Sequence, residues 1–221
     1  DYTKANTGRA RKLSYTTLKS LFKAIKKAIY EGNKKKLVFA YWPEFDSICH
    51  HYGTKSKEAY RHFKYIEKHI AYFLKSIDET DTTLIVTADH GLIDTDKSKT
   101  IELKKHPELS ETLILPLCGE PRVAYCYVHP SKAAQFENYV RQKFKNICYL
   151  FKSEELIKKN YFGLFKPDKK LFDRVGDYVL IMKDNYVIKG FLLGEKEKFH
   201  IGNHGGVSKE EMYVPLIVIN T

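Results

Sequence analysis

Three short segments carry the acidic and imidazole side chains from which a metal site could be built. The candidate ligands are Asp46, His50, Asp89, His90 and His204. A mixture of carboxylate and imidazole ligands suits Zn²⁺ or Mn²⁺ better than Ca²⁺ or Mg²⁺ alone. These residues therefore predict a binding site for Zn²⁺ or Mn²⁺, provided that the fold brings the three segments together.

The spacing within two of the segments bears on whether their side chains could share an ion. Asp46 and His50 are four residues apart in "EFDSICHHYG", so one helical turn would direct both side chains to one point. Asp89 and His90 are adjacent in "TADHG" and point in different directions if the chain is extended. They could ligate one ion only in a bent segment, which Gly91 would help to form.

The third segment, "HIGNHGG", places His204 among glycines that would let the backbone approach a ligand closely. His200 is four residues earlier, and we treat it as a neighbour of the site rather than a ligand. An Asp-His pair after a strand is more often a cap beside a surface histidine, so the alternative of no metal site stays open. The remaining histidines are interpreted as structural or solvated: His51, His62, His69, His106 and His129.

Hydrophobic periodicity indicates the elements that must position these residues. Apolar residues at helical spacing predict amphipathic helices over 15–31 and 56–78, and near-continuous apolar runs predict buried strands over 36–42 and 82–88. Helices alternating with such strands favour a parallel sheet covered on both faces. In such sheets ligands gather beyond the carboxyl ends of the strands, where the first two segments fall.

The second half of the chain has a different pattern. It predicts short strands and one helix, namely strands at 122–128, 178–183 and 186–192 and a helix over about 131–145. We interpret 121–195 as an inserted α+β cap subdomain. The metal-binding core would then comprise 1–120 and 196–221, and a buried strand at 214–220 would rejoin the main sheet.

Composition limits the classes of function. The chain has 221 residues, of which 43% are hydrophobic, so it can bury a substantial core. No apolar run approaches 18 residues, which argues against a membrane span, and no signal peptide is visible. The net charge of +11 favours anionic partners. Because the lysines are dispersed, nucleic-acid binding is disfavoured as the main function.

The four cysteines lack C-x-x-C spacing and are predicted to be buried free thiols.

Taken in order, "DSICHHYG" at 46–53, "TADHG" at 87–91 and "GNHGG" at 202–206 resemble motifs of the alkaline phosphatase superfamily. Within it the chain is most similar to the nucleotide pyrophosphatase/phosphodiesterase (type I phosphodiesterase) family, over residues 36–220. The resemblance implies an α/β fold with a mostly parallel sheet between helices. It also implies a metal-dependent hydrolase of phosphodiester or pyrophosphate bonds in small phosphate esters or nucleotides.

The resemblance further implies two divalent metal ions, Zn²⁺ in preference to Mn²⁺. Asp46, His50 and His204 would bind one ion, and Asp89 and His90 would belong to the second site. In the family an early Asp and a Thr or Ser nucleophile complete that second site. Neither is recognised here, so the nucleophile is expected upstream of Asp1, and this chain alone is expected to be inactive.

Two other readings remain open. The chain could be another member of the superfamily, such as a phosphomutase, a phosphonate hydrolase or a sulfatase-like enzyme. It could also be a non-catalytic fragment that binds metal or nucleic acid. Aromatic residues in "NYFGLF", 160–165, could stack on a nucleotide base or form a small core of the inserted subdomain.

Overall fold

The computed structural model describes residues 7–191, 194 and 198–221. Its contacts divide the chain into two compact units, the first formed by 7–47, 57–86 and 216–221 and the second by 48–56 and 87–215. This division differs from the boundaries expected at 120 and 195, and the inserted subdomain stays a prediction. Parts of the predicted segments lie outside the described residues: 1–6, 192, 193 and 195–197.

The helices and strands have the following bounds. The helices are α1 Leu18–Tyr30, α2 Glu44–Tyr52, α3 Lys57–Ser76, α4 Pro107–Ser110, α5 Ala133–Lys143, α6 Ser153–Lys158, α7 Lys170–Arg174 and α8 Lys209–Met212. The strands are β1 Thr83–Thr87, β2 Ile93–Asp94, β3 Thr100–Glu102, β4 Cys118–Glu120, β5 Val123–Cys126, β6 Cys148–Lys152, β7 Tyr178–Met182, β8 Val187–Lys189, β9 Gly202–Asn203 and β10 Leu216–Asn220.

In the first unit, local signals fix both ends of α1. Thr17 and Ser20 form a capping box, which satisfies backbone N–H groups at the start of the helix. At the other end the ammonium of Lys36 donates to the carbonyls of Ala28 and Ile29, at 3.0 and 2.6 Å. A cation among the last carbonyls is also favoured by the helix dipole. The helix predicted over 15–31 is thus confirmed.

The apolar faces of α1 and α3 form the core of this unit. The rings of Phe22 and Phe73 lie 5.0 Å apart between centroids, and Leu18 and Ile77 are fully buried. The helix predicted over 56–78 is confirmed within two residues at each end.

Three strand predictions in this unit need correction, one in its existence and two in their burial. The run 36–42 forms no strand among the described residues, and Leu37 and Phe39 are 97% and 90% exposed. The strands predicted over 82–88 and 214–220 do form, as β1 and β10, but most of their side chains are exposed. The physical reason is that in the described part of the chain these two strands pair only with each other. An apolar strand becomes buried only where further strands or helices cover it.

The second unit is built on an antiparallel sheet with strand order β4-β5-β7-β6. Every residue of the central strand β7 is buried, as a strand with two neighbours and a covered face requires. Helix α5 packs Phe136 and Val140 into this core together with Phe144, the residue that follows the helix, as the predicted apolar face indicates. The strands predicted at 122–128, 178–183 and 186–192 correspond to β5, β7 and β8, although Leu192 lies outside the described residues.

Two shorter pairings connect the remaining strands of the second unit. β2 pairs antiparallel with β9, and β3 pairs parallel with β8. The pairing of Ile93 with Asn203 joins the segment that follows "TADHG" to the "GNHGG" segment.

The cysteines are all free thiols, but their exposure differs from the prediction. Cys49, Cys126 and Cys148 are buried, whereas Cys118 is exposed because β4 is the edge strand of the sheet. Among the described residues no helix has the length and apolar character needed to cross a bilayer.

Candidate metal centre

Helix α2 carries two of the predicted ligands. Asp46 is in its first turn and His50 in its last, with one turn between them, as the four-residue spacing predicts. One ligand atom from each of Asp46, His50 and His204 lies within 4.8 Å of the others, and all three side chains are partly buried.

The tautomer of His50 follows from its hydrogen bond. Its Nδ1 lies 2.7 Å from the carbonyl oxygen of Gly202. A carbonyl oxygen only accepts, so Nδ1 must carry the proton and Nε2 must present the lone pair. A histidine that donates one ring nitrogen to a backbone carbonyl is oriented to bind a metal through the other.

Close backbone packing holds the His204 segment against the end of α2. The N–H of Ile201 donates to the carbonyl of His50 at 2.9 Å. A Cβ on Gly202 would lie 2.5 Å from the carbonyl oxygen of Cys49, too close for any side chain. The close approach expected at Gly202 was to a ligand, whereas in the structure its backbone approaches α2.

The segment "TADHG" comes into contact with the same histidine. The rings of His90 and His204 are stacked with centroids 3.8 Å apart and an interplanar angle of 18°. His90 Nδ1 is 3.0 Å from the carbonyl of Gly91, which by the same reasoning leaves the lone pair on Nε2. That Nε2 lies 3.8 Å from a carboxylate oxygen of the largely exposed Asp89. Two ligands of one tetrahedral Zn²⁺ are about 3.4 Å apart, so the pair is nearly placed to share an ion.

Gly91 is required for a different reason from the one expected. Its φ is not in the left-handed region, so the bend does not depend on glycine's conformational freedom. A Cβ at this position would instead lie 2.0 Å from the carbonyl oxygen of Glu210. The N–H of Gly91 also donates to the carbonyl of Glu211 at 2.8 Å, so this loop lies directly against α8.

His200 lies beside the proposed ligands, and its interpretation as a neighbour rather than a ligand stays a prediction. Its ring centroid is 4.7 Å from that of His50. Burial, reinforced by the positive charges of Lys189 and Lys198 and by nearby histidines, lowers the pKa of His200 to about 4. The amide of Asn203 donates to the carbonyl of His200 at 3.0 Å and braces the intervening turn.

A cavity of about 720 Å³ opens beside these histidines. His50, His200 and His204 line one part of it, and the other lining residues include Lys189 and Lys198. Burial lowers the pKa of Lys189, although the charge of Glu120 acts in the opposite direction. Sequence reasoning did not single out these lysines, because 38 Lys and Arg residues are dispersed along the chain and spacing does not distinguish two of them.

The aromatic segment proposed for base stacking does not line this cavity in the described structure. Tyr161 and Phe165 are largely exposed, and Phe162 packs against Tyr125 with ring centroids 6.1 Å apart. Phe162 therefore follows the alternative interpretation, a contribution to a small hydrophobic cluster.

Comparison with known protein families gives a match to one family. The type I phosphodiesterase / nucleotide pyrophosphatase family matches residues 1–207. Among solved structures, human ectonucleotide pyrophosphatase / phosphodiesterase 5 is 17% identical with a TM-score of 0.75, over 95% of this chain and 54% of that one. The inactive murine form in complex with AMP is 22% identical with a TM-score of 0.72, over 93% and 54%.

A phosphonoacetate hydrolase from Sinorhizobium meliloti, in complex with phosphonoformate, has the same fold. It is 20% identical with a TM-score of 0.61, over 99% of this chain and 54% of that one. These similarities confirm the predicted alkaline-phosphatase-like α/β fold class. The chain spans about half the length of each of these relatives.

Proposed function

The chain belongs to the type I phosphodiesterase / nucleotide pyrophosphatase family, and from this premise we propose that it contributes the metal-binding part of a hydrolase active site. The reaction would cleave a phosphodiester or pyrophosphate bond in a nucleotide-type substrate. Asp46, His50 and His204 would bind one divalent ion, and Asp89 and His90 would bind a second.

The observation that carries this proposal is the hydrogen bond from His50 Nδ1 to the carbonyl of Gly202. It directs the lone pair of Nε2 away from that carbonyl, as a metal ligand requires. The donor set of one carboxylate and two imidazoles fits Zn²⁺, and Mn²⁺ less closely. When bound, two such ions supply the charge that stabilises the phosphoryl oxygens and lower the pKa of an attacking hydroxyl or water.

The residues of this chain have separate tasks in the proposal. Helix α2 presents Asp46 and His50 in fixed orientation, and the stacked rings of His90 and His204 keep the two ligand sets adjacent. Lys189 and Lys198 add positive charge along the cavity, where an anionic substrate would lie. No residue of this chain is assigned as the nucleophile, and its predicted location upstream of Asp1 stays a prediction.

A nucleotide is the substrate class that we propose. One relative of the same fold is described in complex with AMP, and the cavity combines histidines, lysines and apolar residues such as Ile188 and Phe191. Cationic groups would hold phosphate oxygens, while the apolar wall would accept a less polar part of the substrate.

The decisive experiment combines metal analysis with turnover by the intact protein. We expect Zn²⁺ to co-purify or bind, and a chromogenic nucleotide diester to be hydrolysed only when metal is present. Substitution of His50 by Ala should reduce both bound Zn²⁺ and turnover, while His129→Ala, at an exposed position, should change neither. Full turnover by a metal-free protein would contradict the proposal.

Phosphonate hydrolysis is a second candidate. It is favoured by the similarity to phosphonoacetate hydrolase and by the two lysines, since an ammonium group can donate hydrogen bonds to a carboxylate as well as to a phosphate. Release of inorganic phosphate from phosphonoacetate, with no cleavage of nucleotide diesters, would favour this alternative.

A further inference from the structure

We propose that the buried ion pair of Arg122 and Glu211 is a positioning unit that holds the two metal-ligand loops at a fixed separation. The inference rests on the metal site proposed above. Both residues lie outside the three motifs: Arg122 directly precedes strand β5, and Glu211 is in helix α8.

The pair is fully enclosed and has bidentate geometry. Arg122 Nε donates to one carboxylate oxygen of Glu211 at 3.0 Å, and Nη2 donates to the other at 2.8 Å. Each side chain is 1% exposed. The remaining terminal nitrogen of Arg122 donates to the carbonyl of Tyr186 at 2.5 Å, so the guanidinium is also anchored to the segment between β7 and β8.

Glu211 also contacts both ligand loops directly. Its carboxylate accepts from the N–H of Gly206, two residues after His204, at 2.8 Å. Its backbone carbonyl accepts from the N–H of Gly91, the residue after His90, at 2.8 Å. One residue therefore bridges the two loops from which the stacked histidine rings project.

Neither loop has room to move towards α8. A Cβ on Gly206 would lie 2.6 Å from the Glu211 carboxylate, and one on Gly91 would lie 2.0 Å from the carbonyl of Glu210. Because backbone packs against backbone or against an anchored carboxylate, a shift of either loop requires a shift of α8. The separation of the rings of His90 and His204 is thus coupled to the position of Glu211.

The charge state of Glu211 agrees with this role. Burial alone would raise its pKa, but the hydrogen bonds and charge of Arg122, with the N–H of Gly206, outweigh burial and lower it. The carboxylate therefore stays ionised and continues to accept these hydrogen bonds in neutral solution.

Stability alone is a weak explanation for such a pair. Taking two charges out of water costs several kcal/mol each, and well-packed apolar replacements of a buried ion pair are often as stable or more stable. An apolar side chain cannot replace the Glu211 carboxylate oxygen that accepts a hydrogen bond from the N–H of Gly206. This difference separates a positioning role from a merely structural one.

The test is the Zn²⁺ affinity of the double variant Arg122→Met/Glu211→Leu, measured by competition with a chelator, alongside its thermal midpoint. We expect the double variant to fold and to bind Zn²⁺ about 10- to 100-fold more weakly than the wild type, as is typical when groups supporting metal ligands are removed. Glu154→Gln breaks an exposed ion pair on α6 and should leave the affinity unchanged. Wild-type affinity in a folded double variant would overturn the positioning role.

A second variant covers the possibility that the double variant does not fold. Glu211→Asp keeps the charge but shortens the side chain by one methylene, so it should no longer reach both Arg122 and Gly206. We expect reduced Zn²⁺ affinity, and unchanged affinity would overturn the inference. If the wild-type protein binds no Zn²⁺, the proposed metal site itself is wrong and the positioning role falls with it. If the wild type binds Zn²⁺ and the variants bind it with the same affinity, the positioning role is wrong but the metal site stands.

Discussion

The imidazole rings of His90 and His204 lie face to face, with centroids 3.8 Å apart, although the two residues belong to separate loops. His204 also lies near His50, at 5.1 Å between ring centroids. It therefore contacts both proposed ligand sets, and the loss of its ring should affect both.

Substitution of His204 by Ala is expected to lower the Zn²⁺ content of the intact protein, because it removes a proposed ligand and the ring that supports His90. Elemental analysis after equilibrium dialysis measures the stoichiometry directly. His69→Ala is a suitable control, because the partly buried His69 lies on α3 beside Tyr65 and Phe22 and is not a proposed ligand. Unchanged zinc in the His204 variant would remove this residue from the ligand set.

Lys189→Gln is expected to raise the KM for an anionic nucleotide about 10- to 150-fold with a smaller effect on kcat, since charged hydrogen bonds contribute roughly 1.5–3 kcal/mol. Steady-state kinetics on the intact protein tests this. Lys158→Gln, which changes an exposed lysine on α6, should leave KM unaltered. Equal KM values for wild type and Lys189→Gln would show that this lysine does not contact substrate.

The lowered pKa of Lys189 predicts that the KM depends on pH. Burial lowers the pKa of Lys189, so its positive charge is lost at a lower pH than that of an exposed lysine. The wild-type KM should therefore rise as the pH increases through this lowered pKa, whereas the KM of Lys189→Gln should lack that step. A KM profile with the same rise in both proteins would assign the step to another group.

Gly91→Ala is expected to destabilise the fold by roughly 1–3 kcal/mol, because its Cβ would collide with the backbone of α8 and the segment would have to move. Urea denaturation measures the change in the free energy of unfolding. At Gly190 the same substitution would meet only the flexible side chain of Leu103 at 3.3 Å, so it should have little effect. Equal stability of Gly91→Ala and wild type would contradict the observed close approach.

The cysteines should differ in reactivity. Burial raises the pKa of Cys148 to about 12 and that of Cys126 still further, whereas Cys118 is exposed. Because the thiolate is the reactive form, a short pulse of iodoacetamide at mildly alkaline pH should label Cys118 first. Mass spectrometry of peptides locates the label, and labelling in denaturant provides the control. Modification of Cys126 at the rate of Cys118 would contradict the burial.

Local patterns predicted the helices well. The apolar spacing of Phe22 and Leu18 in α1, and of Phe136 and Val140 in α5, identified the faces that are buried. Helical periodicity depends on residues three and four positions apart in the sequence, so it can be recognised without knowledge of the rest of the fold. The four-residue spacing of Asp46 and His50 was informative for the same reason.

The pairing and burial of the apolar strands were predicted less well than the helices. The apolar run containing Leu37 and Phe39 is exposed and unpaired with any strand in the described part of the chain, and β1 and β10 are more exposed than expected. Pairing and burial of a strand depend on distant segments rather than on its own residues. An apolar run therefore indicates a capacity to be buried, but not the partner that covers it.

The sequence by itself determined which chemistry was available: the three motifs, their carboxylate and imidazole groups, and the family they resemble. Only the tertiary structure decided how these groups are held, through the carbonyl of Gly202 on His50, the stacking of His90 on His204, and Glu211 against both loops. The physical reason is that these contacts join residues far apart in the chain. They arise from close packing of backbone and buried charge, for which local spacing provides no signal.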